Sequence, residues 1–325
     1  MIRTRGIQWL VLLCLAPLAA PAEEAVDWLR KMDQALNTLN YQGVFVRLRD
    51  GQVDPMKVIH RVHDGHAVER LIALDAVGRE IISKGGEVVC FFPDSESVVV
   101  EKRSGHQPLL GAVPALSDEV LQNYSLSVKT GKSMLNRAVV IVDVTPKDHF
   151  RYGYRLWLDE QTGLPLISQV RGGQGQIIEQ MRFASIEFPD EIPEAAVQSG
   201  IDVTGYRWSY TGHQAKQTPG KVEQAWRADN LPAGFVLAMY RLNTQPQATQ
   251  PVVQMVYSDG LASVSVFVEK PGPDEKPQSG PHRMGAANAY TLLVKEHLVT
   301  AIGEVPPVTV RDIASSVVTG TTINR

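Results

Sequence analysis

The chain has 325 residues, of which 44% are hydrophobic and 21% are charged, and its formal net charge is −3. This composition is ordinary for a globular protein and excludes the collagen-like, coiled-coil and disordered classes. Because the chain has neither an excess of basic residues nor a basic stripe interleaved with aromatic residues, we expect no nucleic acid partner. The length predicts two domains.

The N-terminal residues 1–22 have the pattern of a cleavable signal peptide. Basic residues near the start precede a short apolar run at 7–15, and small residues occupy 20–22. The run is shorter than the roughly 20 apolar residues that span a bilayer core, so a membrane anchor is not predicted. We therefore expect cleavage before Glu23, export as a soluble protein, and a mature chain in which Cys90 has no second cysteine to pair with.

The first predicted unit begins with an amphipathic helix over Glu23–Leu39, where apolar residues recur at helical spacing. Short runs rich in β-branched and aromatic residues follow, and turn signals such as Asp64-Gly65 separate them. A short helix is predicted to begin at Ser117. These patterns predict one twisted antiparallel sheet with helices on one side, which is an α+β fold. The predicted strands are 41–49, 56–63, 68–74, 80–84, 87–92, 138–145, 152–158, 164–171 and 176–188.

A second, smaller unit follows a stretch rich in proline, glycine and polar residues at 189–230, which predicts a linker that packs against the rest of the protein. Within the second unit, 286–294 and 298–302 fit either two strands or one helix, and the pattern leaves both open. Thr309 is predicted to cap a last helix. The other predicted elements are strands at 235–242, 252–257 and 262–269 and a flexible loop at 271–281.

Three histidines at short spacing, His60, His63 and His66, suggest a metal site. However, a hairpin centred on Asp64-Gly65 places His60 on the opposite face from the other two, because side chains alternate along a strand. We therefore predict no metal site. The chain also lacks a complete phosphate-binding loop, nucleophile elbow or zinc-protease motif, so neither an enzyme nor a cofactor is predicted.

The two faces of the predicted hairpin at 56–73 are unequal. The more apolar face, which also carries His60 and Glu69, is predicted to point inward, while Lys57, Arg61 and Arg70 lie on the outer face. We expect these basic residues to be solvated, with contact to lipid phosphates as the alternative. The inner face fits either an ordinary core under the helices or a surface that holds an apolar ligand. The candidate lipid-binding residues are Val58, Val62, Leu71, Leu156, Leu158, Met181 and Phe183.

Several runs in both units resemble the MucB/RseB family, and they occur in order along nearly the whole mature chain. In the first unit they are VCFFPD at 89–94, YRLWLD at 154–159 and TGLPL at 162–166. In the second unit they are LPAGF at 231–235, YSDGLASVSVFVE at 257–269 and GEVP at 303–306.

The resemblance implies a periplasmic negative regulator of the envelope-stress (sigma-E/AlgU) sigma factor pathway. Such a protein binds the periplasmic domain of a MucA/RseA-type anti-sigma factor and shields it from a site-1 protease of the DegS type. Lipid signals, lipopolysaccharide in particular, release it. The resemblance further implies an N-terminal domain similar to the carriers LolA and LolB, which is an unclosed antiparallel β-barrel with helices. It also implies a smaller C-terminal antiparallel α+β domain that helps to hold the anti-sigma factor, and self-association into a homodimer or higher oligomer.

Three aromatic residues are candidate contacts with the anti-sigma factor, and for each of them a place in the domain core is the alternative. They are Phe235, Tyr257 and Phe267. We expect the proline- and glycine-rich linker to let the two domains reorient. The predicted division is a signal peptide at 1–22, a lipid-sensing domain at 23–199, a linker at 200–225, an anti-sigma-factor-binding domain at 226–318 and a flexible tail at 319–325.

Two other functional classes compete with this prediction. A lipid or lipoprotein carrier of the LolA type, with no anti-sigma partner, is the first alternative, but it has no need of a second domain. An exported hydrolase is the other, and it requires a nucleophile with a base, for which the chain offers no motif.

Overall fold

The structure is a computed structural model that describes residues 21–102, 109–110, 118–211, 225–243, 252–272 and 279–319. The N-terminal elements are α1 (Pro21–Thr38), β1 (Tyr41–Arg49), β2 (Gln52–His63), β3 (His66–Ala73), β4 (Glu80–Lys84), β5 (Glu87–Phe92), β6 (Ser97–Lys102), α2 (Asp118–Leu121), β7 (Tyr124–Thr130), β8 (Val139–Pro146), β9 (Gly153–Asp159), β10 (Pro165–Arg171), β11 (Ile177–Glu187) and β12 (Arg207–Thr211). The C-terminal elements are β13 (Trp226–Ala228), β14 (Val236–Asn243), β15 (Val252–Ser258), β16 (Ser263–Glu269), β17 (Gly280–Met284), β18 (Ala287–Val294), β19 (His297–Gly303), α3 (Pro307–Ser315) and β20 (Val317–Thr319).

The N-terminal sheet has the strand order β12-β6-β5-β4-β3-β2-β1-β11-β10-β9-β8-β7. Its neighbouring strands are antiparallel except for β12, which runs parallel to β6. Because β12 and β7 stand at opposite ends of this order, the sheet that the described residues form is not closed into a barrel. The structure therefore confirms the predicted unclosed antiparallel sheet, while β6, β7 and the parallel strand β12 lie outside the predicted strands.

The hairpin between β2 and β3 has the predicted register. Asp64 and Gly65 both have positive φ, 50° and 74°, as a two-residue hairpin turn requires. His63 pairs with His66 and His60 pairs with Glu69. His60 is fully buried while His63 and His66 are exposed, so the three histidines do not converge.

Helix α1 packs against one face of the N-terminal sheet, which we call the helix-side face. The helix buries Ala25, Leu29, Met32, Ala35 and Leu36, which recur at the spacing of one helical stripe. These residues form one core cluster with buried side chains from seven strands, which are β1, β2, β3, β7, β8, β9 and β11. The helix therefore covers the inner face that the sequence predicts.

The opposite, outer face of the sheet is covered by the chain that follows β11. Ile192 and Val197 pack there against Ile59 and Val68. Arg61 Nε donates to the Ile192 carbonyl at 2.9 Å. The outer face near these contacts is therefore covered rather than solvated.

Arg70 on the same face has two kinds of acceptor. Its guanidinium binds both Glu80 carboxylate oxygens, at 2.6 and 3.2 Å, and the Ala196 carbonyl at 3.1 Å. The expectation that Arg61 and Arg70 are solvated is therefore wrong, because the segment after β11 lies over them. Lys57 is half-buried.

The C-terminal unit is a separate antiparallel sheet with the order β14-β15-β16-β19-β18-β17. Helix α3 packs on β18 and β19, and β13 pairs with β20 in a small second sheet. A second core cluster lies between these elements and includes Met255, Val266, Val299 and Ile313. For residues 286–294 and 298–302 the sequence leaves open two strands or one helix. The structure has two antiparallel strands there, β18 and β19.

Two details of the C-terminal unit differ from expectation. Pro306, rather than Thr309, occupies the N-cap position of α3, so Thr309 lies inside the first turn of the helix. Its hydroxyl donates to the Phe150 carbonyl at 2.7 Å instead of capping the helix. Strand β17 begins at Gly280, inside the predicted loop at 271–281.

Several predicted segments fall wholly or partly outside the described residues. For the signal peptide, Pro21 and Ala22 are the described positions, and they already belong to α1. In the predicted linker, 212–224 are not described, while β12 occupies 207–211. Of the predicted tail, Thr319 is described and ends β20.

The first prediction concerns α1. We expect Leu36→Ala to lower the free energy of unfolding by about 2–5 kcal/mol, because it leaves a cavity at a fully buried position. Urea denaturation followed by circular dichroism measures this change. Gln34→Ala, an exposed position on the same helix, is the control and should change stability by less than about 0.5 kcal/mol. Equal effects of the two substitutions would contradict the packing of α1 on the sheet.

Candidate functional site

The candidate lipid-binding residues lie on the helix-side face of the N-terminal sheet. Six of them belong to the core cluster that includes α1; Met181 is partly buried there, and the other five are almost fully buried. These six are Val58, Leu71, Leu156, Leu158, Met181 and Phe183. Val62 is half-buried, and its backbone N–H donates to Asn40 Oδ1 at 2.7 Å. The structure thus brings six of the seven together as packed core, and their lining of a ligand cavity stays a prediction.

A row of polar side chains crosses this apolar face from β1 to β4. Strand pairing places Tyr41 beside His60, His60 beside Glu69, and Glu69 beside Ser83. All four are buried, and none is more than 2% exposed. The Tyr41 and His60 rings are stacked with centroids 4.7 Å apart, and His60 Nδ1 lies 2.7 Å from the Leu39 carbonyl oxygen. We call these four residues the polar row.

Glu69 is the carboxylate of the polar row. Its Oε2 accepts a hydrogen bond from the Leu109 backbone N–H at 2.6 Å. Burial raises the pKa of Glu69 to about 7, against the opposing effect of hydrogen bonds from the backbone of Leu109 and Leu110. The carboxyl group therefore changes its charge near neutral pH, inside the core.

The two units are joined through Arg151, in the loop between β8 and β9. Its side chain is fully buried and donates to Asp259 Oδ2, to Asp148 Oδ2 and to the Ala233 carbonyl. Asp259 also accepts a hydrogen bond from the Tyr124 hydroxyl at 3.1 Å. We call the contacts made by residues 148–152 with the C-terminal unit the interdomain joint.

The residues on either side of Arg151 also bind the C-terminal unit. The Phe150 carbonyl accepts from the Thr309 hydroxyl, and the Tyr152 hydroxyl accepts from Asn288 Nδ2 at 3.0 Å. Gly260 has a φ of 93°, and a Cβ added there would lie 2.5 Å from a methyl carbon of Val120. The two units are therefore also close-packed at Gly260, beside the joint.

The candidate partner contacts differ in their exposure. Phe235 is 4% exposed and its ring centroid lies 5.0 Å from the Arg151 guanidinium carbon. Tyr257 is 2% exposed and its hydroxyl accepts from the Ala228 N–H at 2.8 Å. For these two residues the structure matches the alternative, a place in the core, so in this arrangement neither offers a surface to a partner.

Phe267 lies on the other face of the C-terminal sheet. Its neighbours Val266 and Val268 are buried in the core, so alternation directs Phe267 away from α3, and it is half-buried. It stands between Gln254 and Thr300 on the adjacent strands. We call this side of the C-terminal sheet the open face.

A shallow groove of about 320 Å³ runs between the open face and the N-terminal unit. Tyr154 lines it from the N-terminal unit, and Ser265, Ile302 and Glu304 line it from the C-terminal unit. The groove is therefore continuous with the part of the C-terminal sheet that carries Phe267.

Arg151 and Asp259 lie outside the predicted site residues, and no sequence pattern marks them for burial. Asp259 belongs to a predicted turn, and Arg151 follows a polar stretch between two strands. Glu69, in contrast, carries a signal, because alternation in the hairpin places a carboxylate on the apolar face.

Within the described ranges, no group of three His, Cys, Asp or Glu side chains is arranged to hold a metal ion. None of the helices in that part of the chain has the length and hydropathy of a membrane span.

Comparison with known proteins gives matches along almost the whole chain. A model of the MucB/RseB N-terminal domain matches residues 24–201, and a model of the MucB/RseB C-terminal domain matches residues 220–318. The sigma factor AlgU regulatory protein MucB of Pseudomonas aeruginosa is 30% identical over 331 residues, covering 97% of this chain and 97% of that protein.

A second relative and a solved structure agree with these matches. The sigma-E factor regulatory protein RseB of Haemophilus influenzae is 28% identical over 308 residues, covering 94% of this chain and 95% of that protein. A chain in the complex structure of Pseudomonas aeruginosa MucA/MucB superposes with a TM-score of 0.69 and 28% identity, covering 92% of this chain and 100% of that chain. The similarity therefore extends over both sheets.

The second prediction tests the interdomain joint. We expect Arg151→Met to lower the free energy of unfolding by about 3–5 kcal/mol, because it leaves the buried Asp259 carboxylate without its cation. Urea denaturation measures the change. Arg311→Met, which removes an exposed pair with Asp312, is the control and should cost less than about 1 kcal/mol. If the two substitutions cost the same, the joint does not hold the units together.

The third prediction concerns pH and Glu69. Because the folded carboxyl keeps its proton to a higher pH than the ordinary value of 4.5, the unfolded chain loses its proton first as pH rises. This group's contribution to the free energy of unfolding should therefore fall between about pH 4.5 and 7, by about 3 kcal/mol in all. Urea denaturation across this range should show the fall in the wild type and not in Glu69→Gln. The same fall in Glu69→Gln would assign it to other groups.

Proposed function

Because the chain belongs to the MucB/RseB family, we propose that it binds the periplasmic domain of a MucA/RseA-type anti-sigma factor in the periplasm. Binding shields the anti-sigma factor from a DegS-type site-1 protease, and lipid or lipopolysaccharide releases it. The observation that carries this proposal is the likeness to a MucB chain solved together with MucA, which spans both units. Export by the signal peptide at 1–22 and self-association into a homodimer or higher oligomer are parts of the same proposal.

The open face of the C-terminal sheet is the proposed surface for the anti-sigma factor. Phe267 is a half-buried aromatic residue on that face, and large aromatic side chains supply much of the energy of protein interfaces. The groove beside it adds backbone and hydroxyl groups from Ser263 and Ser265. Phe235 and Tyr257 support this surface from inside the core rather than by contact with the partner.

The helix-side face of the N-terminal sheet is the proposed lipid site. Its apolar side chains pack beneath the amphipathic helix α1, whose first turn contains the proposed cleavage point before Glu23. A lipid chain that displaces part of this packing would bury its alkyl groups against these apolar side chains.

The interdomain joint favours a regulator over a LolA-type carrier without an anti-sigma partner. A carrier requires the N-terminal sheet alone. Here Arg151, which is fully buried, binds the C-terminal unit at two acceptors, and such a buried ion pair requires well-matched partners. The joint thus supports a function that uses both units together.

The fourth prediction is the test of this proposal. In an assay with the periplasmic segment of the anti-sigma factor and its site-1 protease, the folded protein should slow cleavage, and added lipopolysaccharide should restore it. We expect Phe267→Ala to weaken protection about tenfold, the cost of removing one central aromatic contact. Val53→Ala, at a residue that is 59% exposed on the N-terminal sheet, is the control and should protect as the wild type does.

The outcomes of this assay separate the alternatives. Absence of protection by a folded wild-type protein would contradict the regulator. Lipid binding without protection would favour the carrier. Unchanged protection by Phe267→Ala would show that the partner binds another surface.

A further inference from the structure

Strand β12 forms an outer edge of the N-terminal sheet. Among the described residues it pairs with β6 alone, in parallel, with Arg207 beside Ser97 and Thr211 beside Glu101. The residues at 207–210 are all exposed. An edge strand presents unpaired backbone N–H and C=O groups on its outer side, and these groups can pair with a strand of another chain.

The other outer strands of the two larger sheets carry features that discourage such pairing. Strand β7, at the opposite end of the N-terminal sheet, carries Lys129, which forms an ion pair with Asp143. In the C-terminal sheet, a bulge between Leu237 and Met239 interrupts β14, and β17 contains Pro281. Strand β12 has the sequence RWSYT, with no lysine, acidic residue, proline or bulge. It is therefore the least protected of the four edges.

The backbone of β12 shows which of its groups face outward. The Arg207 N–H donates to the Glu96 carbonyl at 2.9 Å, towards β6. Because successive residues of a strand direct their backbone groups to opposite sides, the N–H and C=O groups of Trp208 and Tyr210 point away from β6. Ser209, between them, directs its own backbone groups to β6. The outer edge thus offers the donors and acceptors of Trp208 and Tyr210.

The side chains of the same two residues form an exposed aromatic patch on the outer face. Trp208 is 47% exposed and Tyr210 is 63% exposed. They stand beside Val98 and Val100 of β6, which are buried in an apolar cluster on that face. Large aromatic side chains supply much of the energy of protein interfaces. The patch extends this cluster to the rim of the sheet, where a partner strand would cover it.

We propose that β12 is a self-association surface, at which β12 of a second copy of this chain pairs antiparallel with it across a two-fold axis at Ser209. The inference rests on the self-association in the proposed function and specifies its surface. In this register Trp208 stands opposite Tyr210 of the second copy, and the two residues exchange N–H to C=O hydrogen bonds. The axis repeats this contact, so the pairing satisfies every outward backbone group of Trp208 and Tyr210 in both copies.

The side chains of β12 are complementary to themselves in the same register, which favours a second copy over an unrelated strand. On the outer face, Trp208 lies beside Tyr210 of the second copy, and aromatic cross-strand pairs stabilise antiparallel strands. On the opposite face, Arg207 stands opposite Thr211 of the second copy, whose neighbour on β6 is Glu101. Opposite charges therefore approach each other across the interface, once on each side of the axis.

The fifth prediction is a weak, concentration-dependent dimer of residues 23–325. We expect a dissociation constant between about 1 and 100 µM, because the edge is short and buries less area than a standard interface. Tyr210→Lys should weaken the dimer at least about tenfold, since it removes the aromatic pair and places a cation on the edge of each copy. Met284→Lys, at a residue that is 69% exposed on the outer strand β17, is the matched control and should dimerise as the wild type does. Sedimentation velocity measures the dimer.

A charge exchange tests the contact between Arg207 and Glu101. Arg207→Glu brings like charges together on both sides of the axis and should weaken the dimer about threefold to tenfold. Combining Arg207→Glu with Glu101→Arg restores opposite charges and should recover the wild-type affinity. Recovery distinguishes this register from a general effect of charge on the edge.

A cysteine at the two-fold axis tests the register directly. Opposite residues in a non-hydrogen-bonded antiparallel pair have Cα atoms about 4.5 Å apart, a separation that a disulfide can span. Ser209→Cys should therefore form a disulfide-linked dimer with oxidised glutathione as the oxidant, visible on a non-reducing gel. Ser127→Cys, at an exposed position on the outer strand β7, is the matched control and should not. The wild type, which keeps Cys90, gives the baseline.

Three outcomes would overturn the proposal. The first is a folded wild type that stays monomeric at every concentration up to about 200 µM. The second is an unchanged dimer in a folded Tyr210→Lys variant, which would place the interface elsewhere. The third is a wild type that dimerises while Ser209→Cys gives no cross-link. Circular dichroism shows whether the variants are folded. A protein that protects the anti-sigma factor but does not dimerise overturns this inference alone, so its failure and that of the regulator remain distinguishable.

Discussion

The arrangement of the two units depends on one buried guanidinium. Arg151 has no exposed surface, and a cation in that position is stable only when acceptors surround it. Those acceptors come from both units: Asp148 from the N-terminal unit, and Asp259 and the Ala233 carbonyl from the C-terminal unit. Separating the units would strip the arginine of two acceptors at once. The joint therefore favours one orientation, and the reorientation expected from the linker requires this network to break first.

The sequence predicts the regular parts of this fold well because their signals are local. Alternation and a two-residue turn suffice for the β2–β3 hairpin and its register, including the buried position of Glu69. The stripe of α1 is equally local. The edge strand β12 is different, because it pairs in parallel with β6, about a hundred residues earlier in the chain. The proline and glycine residues around it predict a linker rather than a strand. Distant pairing of this kind leaves no local pattern.

The site is less predictable than the fold, for a related reason. Phe235, Tyr257 and Phe267 have similar sequence surroundings, yet two are core and one lies on the open face. Tyr257 lies on the side of β15 that faces the core cluster, and Phe267 lies on the opposite side of β16. Phe235 precedes β14 and packs against Arg151. Likewise threonine is a common N-cap residue, but Pro306 occupies the N-cap position of α3. The Thr309 hydroxyl instead donates to the Phe150 carbonyl in the interdomain joint. Tertiary contacts decide these roles.

The helix-side core contacts the interdomain joint, so a lipid that enters the core can affect the contact between the two units. Tyr124 at the start of β7 belongs to the core cluster beneath α1, and its hydroxyl donates to Asp259 in the joint. Leu261, two residues after Asp259, packs against the same cluster. A ligand that displaces this packing therefore changes the surroundings of Asp259 directly. Because linkage is reciprocal, a partner that requires the intact joint must weaken the binding of such a ligand. The factor is the same as the one by which the ligand weakens the binding of the partner.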